Sequence, residues 1–138
     1  MKLSIITPEK TAFEGEVDSV VLQTVEGEIG ILPGHLPLVT LLESGDIEVT
    51  TQGQKDYLAI DGGFAEISND TISVMTEAAI DVKEIDLEEV ERAEKRARHY
   101  LAEAEGKKDE IDPRELERIQ GSLRFALAQR LAKGKRRS

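Results

Sequence analysis

Hydrophobic and polar positions alternate in short bursts over the first 83 residues and recur every three to four positions thereafter. A period of two marks strands with one buried face, and a period near 3.6 marks amphipathic helices. Leu3-Ser4-Ile5 alternates, and Glu16 to Thr24 reads as one strand segment around Val20-Val21-Leu22. Ile29 to Leu32, Ile47 to Thr50, Tyr57 to Ile60, Phe64 to Ile67 and Ile72 to Met75 continue the series. Turn formers separate them: Pro33-Gly34, Gly45-Asp46, Gln52-Gly53-Gln54, Gly62-Gly63 and Asn69-Asp70. Many short strands punctuated in this way predict an antiparallel β-sandwich or flattened barrel. A unit of about 80 residues is large enough to fold alone.

Beyond residue 83, Ala, Glu, Arg and Leu dominate and the β-branched residues thin out. Asp86 followed by Glu89 is a capping-box pattern, and Leu87, Val90, Ala93, Ala97, Tyr100 or Leu101, and Ala104 form a stripe at spacings of three and four. Gly106 stands where a left-handed C-terminal cap belongs. Asp112-Pro113-Arg114-Glu115 opens a second helix with an N-cap, a first-turn Pro and a box Glu. Its stripe is Leu116, Ile119, Leu123, Ala126 or Leu127, and Leu131, with Gly134 as the expected end. Two helices of about 19 residues, each about 28 Å long, joined by about six residues, make an antiparallel hairpin. The fold class is α+β: a β-sandwich over residues 1–84, then a helical hairpin over residues 85–138. The alanine-rich seam buries few methylenes, so the hairpin is expected to lean on the β-domain or on a partner.

Charge divides the chain again. Residues 1–83 hold 4 Lys+Arg against 15 Asp+Glu, whereas residues 118–138 hold seven basic side chains and no acidic one. The basic set is Arg118, Arg124, Arg130, Lys133, Lys135, Arg136 and Arg137. A net charge of -10 repels nucleic acid, and 4% aromatic content offers no stacking platform. The cationic tail suits an acidic partner.

The 138 residues contain no Cys and two His, which excludes disulfides and thiol chemistry and leaves little for a metal site. No apolar run approaches a membrane span, and no leader or transit segment is read at the start. Phosphate-loop, nucleophile-elbow, zinc-protease and dinucleotide fingerprints are absent. His35 in Pro33-Gly34-His35-Leu36-Pro37 reads as a structural or contact histidine, His99 as a solvated helix residue and Asp61 as a turn residue. No catalytic site is expected.

The segments GEIGILPGHLPLVT (residues 27–40) and GGFAEISNDTISVMTEAA (residues 62–79), with Ile6-Thr7-Pro8-Glu9-Lys10, closely resemble the ε subunit of F-type ATP synthases, called δ in mitochondria. The resemblance spans the chain and is matched in the helical part by Glu91-Arg92-Ala93-Glu94-Lys95-Arg96-Ala97 and by architecture. It implies a non-catalytic rotor subunit of the central stalk, bound to γ and to the ring of c subunits. Its station would be peripheral, on the cytoplasmic face of a bacterial plasma membrane, with a plastid thylakoid as second choice, and it would reach the membrane only through the complex. The turn at Gly34 and His35 would lie near γ, and the acidic loop around Glu26 to Glu28 would face the ring. The hairpin would be a mobile regulator that extends between the α and β subunits and hinders ATP hydrolysis, led by Arg124, Arg130 and Lys133.

Some bacterial members of that family bind ATP through Ile/Leu-Asp-x-x-Arg-Ala on the first helix and two arginines four apart on the second. The matching segment here is Glu88-Glu89-Val90-Glu91-Arg92-Ala93, in which Glu replaces both the aliphatic residue and the Asp. Arg130 matches one arginine, and Ala126 stands at the other position. Glu89, Arg92 and Arg130 are thus the candidate ATP residues, with added negative charge and one phosphate partner missing. No cofactor is required by this reading. The rival is a stand-alone nucleotide sensor whose hairpin closes on its ligand.

Overall fold

The computed structural model describes residues 1–107 and 110–137. Ten strands precede two helices: β1 Lys2–Ile6, β2 Thr11–Glu16, β3 Ser19–Thr24, β4 Gly27–Ile31, β5 Leu38–Leu42, β6 Gly45–Thr51, β7 Gln54–Ile60, β8 Gly63–Ser68, β9 Thr71–Met75 and β10 Ala79–Asp81. A 3-10 turn at Val82–Glu84 leads to α1, Leu87–Glu105, and α2, Pro113–Arg137. The strands form one folded-over sheet in the order β10-β7-β6-β3-β5-β8-β9-β1-β2, with β4 paired to β3 off that path.

Alternation does the folding. Leu3 and Ile5, Val20 and Leu22, and Ile72 and Val74 turn to the interior while their neighbours face out. They meet Ile31, Ile47, Val49 and Ile60 in one core. Tight turns set the register. Asn69 and Asp70 both take positive φ (50° and 59°), as a two-residue hairpin between β8 and β9 requires. The Pro33-Gly34 turn is of the second type: Gly34 has φ 86° and the His35 amide donates to the Leu32 carbonyl at 3.1 Å.

The structure departs from the expected pattern in several places. One ladder is parallel: β1 runs beside β9, with Leu3 opposite Ile72 and Ile5 opposite Val74. The segment from Glu16 to Thr24 breaks between β2 and β3, where the Val17 amide turns to the Met1 carbonyl and Asp18 to Thr50. Strand β5 lay hidden because Leu38, Val39 and Leu41 are exposed and Leu42 is buried, which leaves no polar face to alternate with. The short β10 and the 3-10 turn were also not anticipated.

Asp86 caps α1 through its side chain, accepting from the amides of Glu88 and Glu89 at 3.0 and 3.4 Å. Asp112 does the same for α2 through the Arg114 amide at 2.9 Å. Asp86→Ala should therefore cost about 1 kcal/mol, read as a lower urea midpoint with faster amide exchange in the first turn of α1. Gly106 is right-handed (φ -80°, ψ -7°), not left-handed, and α1 ends in tightened bonds from Gly106 to Glu103 and from Lys107 to Ala104. Gly134 does not end α2, which continues to Arg137, with Lys133 and Lys135 on either side of the glycine both hydrogen-bonded to the body. Of the connection between the helices, Lys108 and Asp109 lie outside the described residues, as do Ser138 and the side chains of Arg136 and Arg137.

Helix α2 lies over β6, β7 and the 3-10 turn, and α1 packs on α2. This explains why Leu58, Ala59 and Ile60 are buried in a row on β7: Leu58 and Ile60 face the sandwich core, whereas Ala59 faces the helices. A second core forms there from Ala59, Val82, Ile85, Val90, Ala126 and Ala132, edged by Tyr57, Leu87 and Phe125. The seam is alanine-rich as expected, but Leu131 is 68% exposed and takes no part. Among the described residues of α2, Ala126, Ala128 and Ala132 are buried.

Candidate functional site

Two surfaces gather exposed apolar side chains and the cations of α2. The first is the outward face of β5, β8 and β9. Leu41 stands opposite Phe64, and Phe64 opposite Met75, so the three form one exposed row across three strands. Val39, two positions before Leu41, shares its face and is 69% exposed. Val25 joins the row, its amide donating to the Leu41 carbonyl at 3.1 Å. A cleft of about 400 Å³ opens beside Phe64 and Met75, floored by Ile6, Pro8 and Gly63.

The predicted contact turns bracket this face. Gly34 and His35 precede β5, and the Gly34 amide is tied to the Asp70 carboxylate at 2.9 Å. The His35 ring Nδ1 lies 2.7 Å from the Leu36 carbonyl, which fixes its orientation. The β3–β4 hairpin sits at the other end of β5, since Thr24 pairs with Leu42. There Glu28 is exposed and accepts from the Gln23 side-chain amide at 3.2 Å, while Thr24 Oγ1 donates to the Gly27 carbonyl and holds the turn.

The second surface is the line of cations on α2. Each is engaged. Arg124 donates to Asp61 at 3.2 Å, Lys133 to the Val82 carbonyl at 3.0 Å and Lys135 to Asp46 at 2.8 Å. Arg130 pairs with Glu94 of α1. Three of the acceptors are largely dry: the side chains of Asp46, Asp61 and Glu94 are 9%, 12% and 5% exposed, whereas the cations stay about half exposed. Asp61 also accepts from the Ser44 hydroxyl at 2.8 Å, so it is an anchor for α2 as well as a turn residue. Neither Asp46 nor Glu94 was anticipated. Glu94 had a signal: it stands four residues after Val90 and three before Ala97, a polar interruption of the buried stripe that alanine 93 had been expected to fill.

Nearby ionisable groups respond to their neighbours. The Tyr57 hydroxyl donates to Glu48 at 2.9 Å, and that carboxylate, with partial burial, raises the phenol above its ordinary value. Arg118 forks onto Glu115 and holds that carboxyl below the usual range.

Of the candidate ATP residues, Glu89 and Arg92 share a cleft of about 280 Å³ with Ile80, Glu84, Asp86 and Arg96. Arg130 is absent from its lining and turned to Glu94. Among the described residues no group of three or more His, Asp or Glu side chains is placed to hold a metal ion, and no helix is long and apolar enough to cross a membrane.

These observations define a β-sandwich with an exposed apolar face and a helical hairpin tied to its side by ion pairs. Residues 1–82 match the family model described as ATP synthase, Delta/Epsilon chain, beta-sandwich domain. The chain is 39% identical over 104 residues to the ATP synthase epsilon chain of Helicobacter pylori, covering 75% of this chain and 84% of that one. It is 37% identical over 128 residues to the ATP synthase epsilon chain of Ligilactobacillus salivarius, covering 92% and 90%. Among solved structures, a chain of the Euglena gracilis mitochondrial ATP synthase (OSCP/F1/c-ring, rotational state 1) superposes with a TM-score of 0.69 at 27% identity, over 93% of this chain and 78% of that one. The chain belongs to the ATP synthase delta/epsilon family.

Proposed function

We propose that the chain is a non-catalytic rotor subunit of the central stalk, in which residues 1–84 grip the γ subunit and the c-ring and residues 85–138 form a movable inhibitory arm. It works on the membrane surface, held there by the complex. The observation that carries the docking half is the exposed row of Val39, Leu41, Phe64 and Met75. Contiguous apolar surface on a soluble body marks a partner's seat, and here the predicted contact residues Gly34, His35 and Glu28 frame it. Burying that row against a helical shaft is favourable at about 25 cal/mol per Å², and the turns at its two ends fix orientation.

The arm follows from the second surface. When the hairpin is folded, Arg124 and Lys135 satisfy acids of the body, Lys133 a backbone carbonyl and Arg130 an acid of α1; when it is extended, these cations serve an acidic loop on another subunit. They cannot do both, so the two placements exclude one another and compete within a few kcal/mol. Lifting α2 also returns Asp46, Asp61 and Glu94 to water, which keeps the closed state from being overwhelmingly favoured. The ATP role of Glu89, Arg92 and Arg130 has no support in a small acidic cleft that lacks Arg130, and the hairpin needs no cofactor.

The test is capture. The full chain, tagged and mixed with mildly solubilised membranes of its source, should retain γ in equimolar amount; a chain that passes through without γ is not this subunit.

A further inference from the structure

Among the described residues of α1 and α2, one charged side chain is buried. Val90, Glu94, Ala97 and Ala104 are the buried residues of α1. Glu94 Oε2 meets the Arg130 guanidinium, with Arg98 further off at 4.0 Å. Its other oxygen, Oε1, is fully shielded, and no donor among the described residues reaches it. The arrangement is lopsided. The carboxylate is 5% exposed, while Arg130 and Arg98 are 51% and 60% exposed. A pair built to hold two helices together satisfies both carboxylate oxygens, because an ion taken out of water must recover its lost hydration from its partners. Here one oxygen of the acid is paired and the other is not, while the cations keep half or more of their exposure.

We infer that Glu94 is a release element: closing the hairpin strips water from a carboxylate that the closed state under-compensates, so opening is assisted by its rehydration. The inference rests on the movable-arm reading above and adds the residue that tunes it. It differs from an ordinary interhelical salt bridge in sign. If the pair simply held the helices, deleting either partner would loosen the hairpin. If Glu94 is a release element, the two deletions act in opposite directions. Glu94→Met removes the dry charge, fills the seam with an apolar chain of similar length and leaves Arg130 free to hydrate, so the hairpin closes more firmly. Arg130→Met leaves the buried carboxylate with no near partner, so the hairpin opens more often.

The experiment is amide hydrogen exchange by mass spectrometry on the full-length chain, with β-core peptides as the internal standard for global unfolding. Peptides from residues 90–104 should exchange about tenfold more slowly in Glu94→Met and about tenfold faster in Arg130→Met than in the parent. Glu94→Leu should share the sign of Glu94→Met, so that a packing defect peculiar to one side chain does not decide the result. Faster exchange in both the Glu94 and the Arg130 variants, or no change on replacing Glu94, overturns the inference while leaving the movable arm standing. Hairpin peptides that exchange in step with the β-core in every chain overturn both.

Discussion

Val39→Asp combined with Leu41→Asp should abolish capture of γ while leaving the β-sandwich folded. Both side chains point away from the core, at 69% and 61% exposure, so a carboxylate at either position stays hydrated in the free chain. In a complex the same carboxylates are dehydrated against apolar surface. Losing two buried aliphatic chains alone removes about 4 kcal/mol, a roughly thousand-fold drop in affinity, and the stranded charges add to it. Pull-down with γ and a thermal melt of the free variant check the two halves together. Retained γ at parental levels would move the docking face elsewhere on the sandwich.

Gly63→Ala should be the most damaging single substitution in the β-domain. Gly63 has φ 108°, a conformation closed to residues with a side chain, and a Cβ there would lie 1.9 Å from the Met75 carbonyl oxygen. The clash is with backbone, so no rotamer relieves it; either β8 or β9 must shift where they pair. A loss above about 4 kcal/mol is expected, comparable with the whole stability of a small domain, and the variant should be found largely insoluble. Gly34→Ala provides the contrast. Gly34 also has positive φ, but an added Cβ meets nothing within 4 Å, so the cost is only the backbone term of about 1 kcal/mol. A Gly63→Ala chain that melts within about 4 °C of the parent would mean that β8 and β9 separate more readily than their pairing implies.

The sandwich was legible because its core strands alternate: Leu3 and Ile5, Val20 and Leu22, Ile72 and Val74 announce their buried face by spacing alone. What escaped reading was governed by groups distant in sequence. Strand β5 is apolar on its outward face as well as at Leu42, so alternation gives no sign of it. Residues 79–81 pair with β7, and nothing local distinguishes so short a strand. Leu131 has the right spacing for the seam, yet α2 turns its alanines to the body because only small side chains let it approach β7 closely. The basic run of α2 was plain; its partners were not, since Asp46 and Asp61 are 89 and 63 residues from the lysine and arginine they receive. Charge reads easily as composition and poorly as pairing. Glu94 is the instructive case: a single acid in a buried stripe, visible in the spacing once the stripe is placed correctly on Val90, Ala97 and Ala104.

ATP hydrolysis by the assembled enzyme, with the full chain and with residues 85–138 removed, probes the arm most directly. The sandwich keeps its own core without the hairpin, since its buried residues run from Leu3 to Ala79. The shortened chain should therefore assemble with γ in normal amount, and hydrolysis should rise severalfold. Normal assembly with unchanged hydrolysis would contradict a regulatory arm and leave a docking body alone.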